Sequence, residues 1–140
     1  MIKIIISLSV MLSIISACSN ADLITNLSDK EWKVISIKGK AINPGNQPDG
    51  FPTLNFGSNN KLFGSTGCNR YIGSFKIDKN LISLQPGAVT KMYCDDSPED
   101  AFLSAVKQVS EFKPEGNTLA LLNGSKSIMQ LIPIEKWKTS

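Results

Sequence analysis

Apolar and polar positions divide the chain into three regimes. Residues 4–15 form an apolar run with three serines in it, and residues 19–29 are mixed and largely polar. From Trp32 onward, short segments rich in β-branched and aromatic residues alternate with turn-forming clusters, the pattern of short strands. Residues 32–37 predict the first strand. Residues 39–52 read as a long loop punctuated by Gly and Pro, and loops of that length are often binding or disordered segments. Residues 53–56 predict a strand, 57–60 a turn and 61–63 the start of the return strand.

Three glycines, Gly64, Gly67 and Gly73, then fall within ten residues. They predict a bulged or sharply bent segment where backbones approach closely. Residues 74–77 alternate, with Phe75 and Ile77 on one face. Residues 78–80 turn the chain, 81–84 pair back, and Gln85-Pro86-Gly87 is expected to end that strand. Residues 89–94 read as an extended segment or strand. A helix is predicted from Ser97, with Ser97 at N-cap, Pro98 at N1 and Asp100 at N3 of a capping-box-like start. Phe102, Ala105, Val106 and Val109 form its apolar stripe. Residues 114–117 predict a turn and 118–122 a strand. Asn123-Gly124 is a strong hairpin signal. Residues 127–132 pair back, Pro133 stops them, and residues 134–140 form a polar tail carrying Trp137. The pattern contains about eight short strands and one helix without βαβ alternation. The expected fold class is mainly β (α+β), a small antiparallel barrel or curled sheet with the helix packed at one end.

The apolar run follows Met1-Ile2-Lys3, giving the parts of a bacterial export signal. It is too short to span a membrane as a helix, which takes about 20 residues. Ordinary secretory cleavage after Ala17 would place the large Ile15 at −3. Ile15-Ser16-Ala17-Cys18 instead resembles the bacterial lipobox at all four positions, with cleavage before Cys18 and lipid on its sulfur. The two readings are a lipoprotein and a plain secreted protein with a stray thiol. On the first, residues 1–17 are the signal peptide, Cys18 is the lipidation site and residues 18–29 are a tether. Two or more acyl chains would hold the protein firmly. Ser19 after the cysteine resembles the outer-membrane sorting pattern of enteric bacteria. The expected location is the bacterial cell envelope, on the outer membrane facing the periplasm or on the cell surface.

Export also bears on the remaining cysteines. In an oxidising compartment Cys68 and Cys94 are expected to cross-link, with Cys18 consumed by lipid. A redox-active dithiol and an unpaired state are the competing readings. Removing residues 1–17 from the 140-residue chain leaves a single domain, expected over residues 30–133. The net charge is +3, with lysines interleaved with acids. No basic run or basic-aromatic stripe points to nucleic acid.

Candidate chemistry is sparse. The chain has no histidine, which removes a Ser-His-Asp triad and a Cys-His nucleophile pair. Zinc and copper lose their commonest ligand, so no metal or cofactor is expected. Gly64-Ser65-Thr66-Gly67 lacks the Gly-Lys-Ser/Thr that a phosphate loop needs. Asp95, Asp96, Glu99 and Asp100 could suit calcium, but acids at a helix start equally complement its dipole. Asn69, Arg70 and Tyr71 are the candidate partner-binding residues, since Arg and Tyr are enriched at hot spots. The competing reading has Asn69 satisfying turn backbone, Tyr71 packed and Arg70 solvated. Trp32 is expected in the core and Trp137 exposed.

The order of these segments carries a resemblance. Trp32 on a first strand, the 53–56 strand, the segment 64–75 with Gly67-Cys68-Asn69 at its centre, Thr90-Lys91-Met92-Tyr93-Cys94, the helix near Glu99 and the final hairpin resemble the META domain. This is the family of the HslJ-like lipoproteins, and the resemblance spans about residues 28–132. Tyr93 stands where the family commonly has a small residue. The resemblance implies one antiparallel β-domain with a helix, in envelope and stress-associated proteins, with no established enzymatic activity. The expected function is a lipid-anchored, non-enzymatic binding or structural module linked to envelope stress or heat shock. An inhibitor or chaperone-like factor acting on an envelope protein partner is the alternative, and a redox protein a third reading.

Overall fold

The computed structural model describes residues 20–135. The leader, Cys18 and Trp137 lie outside the described residues. The elements in order are helix α1 (Asn20–Ser28), strands β1 (Lys30–Ile37), β2 (Lys40–Ala41), β3 (Thr53–Phe56), β4 (Lys61–Ser65), β5 (Arg70–Asp78) and β6 (Leu81–Val89), helix α2 (Glu99–Gln108), and strands β7 (Glu111–Glu115), β8 (Thr118–Asn123) and β9 (Lys126–Glu135). Every pairing is antiparallel.

The sheet runs β1-β3-β4-β5-β6-β7-β8-β9, and β9 pairs back onto β1, closing an eight-stranded barrel. The short β2 is the extra strand, a hairpin partner to the end of β1 where β3 no longer reaches (Ser36↔Ala41 and Ile37↔Lys40). Closure removes most exposed edges. The β6–β7 seam is the exception: its register has the single pair Leu81↔Glu111. Helix α2 packs on β6, β1 and β9, strands on different sides of the barrel, so it plugs that mouth. Its buried face is Phe102, Ala105 and Val106, followed by Val109, the stripe the sequence predicts.

The interior is built from inward positions of each strand. Val34, Leu54, Phe56, Leu62, Tyr71, Phe75, Leu84, Leu121 and Leu131 are buried. Phe56 and Phe75 meet edge to face at 5.1 Å, and Tyr71 packs beside Phe102 at 5.7 Å. Each large apolar side chain contributes about 1.5–3 kcal/mol by leaving water. Trp32 is buried as expected, and its Nε1 donates to the Leu27 carbonyl at 3.0 Å.

Four differences from the expected pattern have physical causes. The stretch expected as a tether is helical from Asn20 to Ser28, because Leu27 finds a buried site against the barrel and Trp32 satisfies its carbonyl. The second group concerns proline. Strand β6 runs through Pro86, β7 includes Pro114 as a strand rather than a turn, and β9 runs through Pro133 to Glu135. Each sits where its strand has one bonded neighbour. β6 meets β7 only at Leu81, β7 beyond Glu111 registers only with β8, and β9 beyond Leu131 registers only with β1. A missing N–H is tolerated on such an open side. Third, residues 90–98 form a loop, so of the two readings of 89–94 the strand stops at Val89 and the rest is not strand. Fourth, the first helical residue of α2 is Glu99, with Pro98 at the cap position. Ser97 still serves the helix start, its Oγ accepting from the Glu99 N–H at 3.1 Å.

Candidate functional site

The loop cluster at the α2 end of the barrel collects most of the polar chemistry. Its centre is the turn between β4 and β5. Gly67 has φ +96, and a Cβ there would lie 3.0 Å from the Gly50 carbonyl oxygen. Only glycine suits that conformation and approach. Cys68, next to it, is joined to Cys94 by a disulfide with Cα atoms 5.9 Å apart. This pins the 90–98 loop to the barrel.

Asn69 is buried and provides the second pin. Its Oδ1 accepts from the Met92 N–H at 2.6 Å and the Thr90 hydroxyl at 3.1 Å. Its Nδ2 donates to the Met92 carbonyl at 2.9 Å and to Glu99 Oε2 at 2.8 Å. Glu99 also accepts from the Thr66 hydroxyl, whose oxygen in turn accepts from the Asn69 N–H at 2.8 Å. One carboxylate at the start of α2 therefore holds both sides of the turn. Buried polar groups satisfied in this way specify a unique geometry.

A third set of bonds ties the 43–50 loop to the same turn. Asp49 donates its N–H to the Gly67 carbonyl at 3.1 Å. Its carboxylate accepts from the Ser65 hydroxyl at 2.9 Å and from Arg70 at 3.2 Å. The Arg70 side chain is 70% exposed, so this ion pair positions more than it stabilises. Gln47 donates from Nε2 to the Asp95 carbonyl at 2.7 Å, joining the two loops directly.

Between those loops lies an open groove of about 710 Å³, lined by Asn43, Asn46, Gln47, Tyr93, Asp95 and Asp96 among others. Tyr93 stands 86% exposed at its edge. The Gln47 Oε1 is buried without a hydrogen-bond partner among the described residues.

The three candidate partner-binding residues thus separate. Asn69 and Tyr71 point inward, and Arg70 alone faces solvent. The Tyr71 hydroxyl donates to the Thr53 carbonyl at 2.6 Å. Burial pushes its phenol well above the ordinary value, and the charge of Glu31 adds to the shift. The acidic cluster also divides, with Glu99 turned into the network and Asp95 and Asp96 on the loop. Among the described residues no three His, Cys, Asp or Glu side chains are grouped to hold a metal. Sequence reasoning missed Asp49, Thr66, Gln47 and the inward role of Glu99. Their signal is tertiary: Thr66 and Glu99 are 33 positions apart. Tyr93 was visible in the sequence as the bulky residue before Cys94.

A family model described as META domain matches residues 25–136. No curated protein matches significantly. Three solved structures are similar. An NMR structure of a protein from Burkholderia xenovorans is 18% identical, covers 84% of this chain and 90% of its own, and superposes with a TM-score of 0.65. A crystal structure of a DUF4847 family protein from Bacteroides vulgatus is 16% identical, covers 79% and 96%, and gives 0.56. A further NMR structure is 20% identical, covers 76% and 92%, and gives 0.59. At these identities the likeness is one of fold.

Proposed function

The chain belongs to the META domain family, and on that footing we propose that it is a lipid-anchored, non-enzymatic binding module of the bacterial envelope, acting in envelope stress or heat shock. The observation that carries this reading is the loop end of the barrel. Three loops there are fixed, the 66–69 turn and the 90–98 loop by the disulfide, Asn69 and Glu99, and the 43–50 loop by Asp49 and Gln47, and they hold Arg70 and Tyr93 out in solvent. Rigid loops presenting exposed side chains are the usual form of a recognition surface. The stress association rests on the family resemblance of the sequence alone.

Helix α1 and the loop cluster lie at opposite ends of the barrel. Helix α1 leads directly into the start of β1, beside the end of β3. The 66–69 turn follows the far end of β4. Lipid on Cys18, two positions before α1, would hold the α1 end at the membrane and direct the loop end away from it. Nothing among the described residues positively shows a catalytic role, so binding is the simpler use of this surface.

The test has two arms. The full chain should incorporate an acyl label in cells, and Cys18→Ala should abolish it. A photo-cross-linker placed at Tyr93 should capture an envelope component, while one at Asn117, on the opposite end, should not. Absence of label together with equal capture from both positions would reject the reading.

A further inference from the structure

The groove between the 43–48 and 93–96 loops has a chemistry of its own. Tyr93 is its most unusual feature. A tyrosine 86% exposed contributes little to folding, yet its backbone is fixed on both sides. The N–H and carbonyl of Met92 are held by Asn69, and Cys94 is tied to Cys68. The ring is therefore presented on a pre-organised support, which lowers the ordering cost of binding.

Apart from Pro48 and Cys94, the side chains around the ring are polar. Asn43, Asn46 and Gln47 supply amides, and Asp95 and Asp96 supply carboxylates. No lysine, arginine or large aliphatic side chain lines the groove. Gln47 is held by its bond to Asp95 and its carbonyl oxygen is buried, so it shapes the wall of the groove rather than meeting a ligand. The volume of about 710 Å³ falls in the range of small-molecule sites.

These features select a ligand class. Two carboxylates with no balancing cation disfavour an anion. A polar lining disfavours a lipid tail, because amides left unpaired by an apolar ligand carry a desolvation cost. A flat aromatic face with amides and carboxylates around it suits a molecule with a C–H face and hydroxyls at its edge. We propose that this groove binds an uncharged or amino-bearing saccharide, with a sugar ring stacked on Tyr93 and its hydroxyls bonded by Asn46 and Asp95. The inference rests on the reading of the loop end as the binding face, and it names the ligand class for that face.

The test uses the full chain in detergent. Neutral and amino oligosaccharides, chitotetraose, its de-N-acetylated form and maltotetraose, are titrated by saturation-transfer NMR, with a tetragalacturonate as the anionic comparison. At least one neutral or amino sugar should bind, and the anionic one should not. Tyr93→Ala should weaken binding by about tenfold or more, while Tyr93→Phe keeps it within about threefold. Both variants should unfold at the parent urea midpoint, since the ring is exposed. No binding by any of the three sugars, preference for the anionic one, or an unchanged affinity in Tyr93→Ala overturns the proposal. Cross-linking from Tyr93 to a protein without sugar binding would overturn this inference and leave the binding-face reading standing. Sugar binding without an acyl label would leave this inference and the binding face standing and overturn the lipid-anchored part of the reading.

Discussion

Asn69 pairs with Met92 as one strand residue pairs with another. Its side-chain amide accepts from the Met92 N–H at 2.6 Å and donates to the Met92 carbonyl at 2.9 Å. A single buried side chain thus substitutes for a missing strand beside the 90–98 loop. Asn69→Ala leaves Met92 and Glu99 short of partners in a part-buried setting, and should cost about 1–3 kcal/mol by urea denaturation. Asn69→Asp should cost at least as much, because a carboxylate cannot donate to the Met92 carbonyl and faces Glu99. An alanine variant within about 0.5 kcal/mol of the parent would show that the network does not hold the loop.

The Cys68–Cys94 bond spans 26 positions and closes the same region. In the chain-entropy model its loss costs roughly 3.5 kcal/mol, mostly through the unfolded state. The Cys68→Ala, Cys94→Ala double variant should show that loss while Asn69 keeps the loop in place. Adding Asn69→Ala should then release the loop, seen as rapid amide exchange over residues 90–98. The two changes should be non-additive by about 0.5–3 kcal/mol, as expected of groups that share one segment. Strict additivity with unchanged exchange would separate the two pins.

Tyr71 makes stability fall in alkali. Its folded phenol is held protonated above the ordinary value by burial, with the Glu31 charge adding to the effect. The unfolded phenol ionises near the ordinary value of about 10. Above that pH the folded state binds more protons than the unfolded state, so stability declines as pH rises further. Below it this contribution is fully present. Tyr71→Phe should lose about 0.5–1.5 kcal/mol at neutral pH, from the bond to Thr53, and should flatten the decline above pH ~10. Urea midpoints across the alkaline range measure both; a parallel decline in the variant would assign it to other groups.

The strands of this barrel were legible where periodicity and turn chemistry agreed. Residues 53–56, the alternation around Phe75 and the Asn123-Gly124 hairpin all form as the pattern predicts. In sequence, Pro86, Pro114 and Pro133 signal breaks, since a proline has no N–H to give a ladder. That reasoning assumes a neighbour on both sides, and the closed, sheared barrel leaves each of the three with one. The site was half legible for a similar reason. Gly67-Cys68-Asn69 marked the turn, but which side chains face inward depends on β5 register, which places Tyr71 opposite Val89 and inside. The bonds from Asp49 and Glu99 join segments distant in sequence, so no local pattern announces them.

Of the glycines, the one whose added Cβ would meet main chain most closely lies at the β5–β6 bulge. The register shifts between Ile72 and Ser74, and a Cβ on Gly73 would lie 1.8 Å from the Gln85 carbonyl oxygen. The obstacle is main chain, so relief requires the two strands to separate. That would move Tyr71 and Phe75, which flank Gly73 on the buried face. Gly73→Ala should therefore cost more than about 3 kcal/mol, or prevent folding. Gly116 offers the comparison: its φ of +60 strains any other residue, but a Cβ there meets nothing within 4 Å. Gly116→Ala should cost only about 1–2 kcal/mol, the penalty of left-handed backbone. Urea denaturation of the two variants separates close approach from backbone conformation. Equal losses would mean that the bulge yields more readily than its geometry implies.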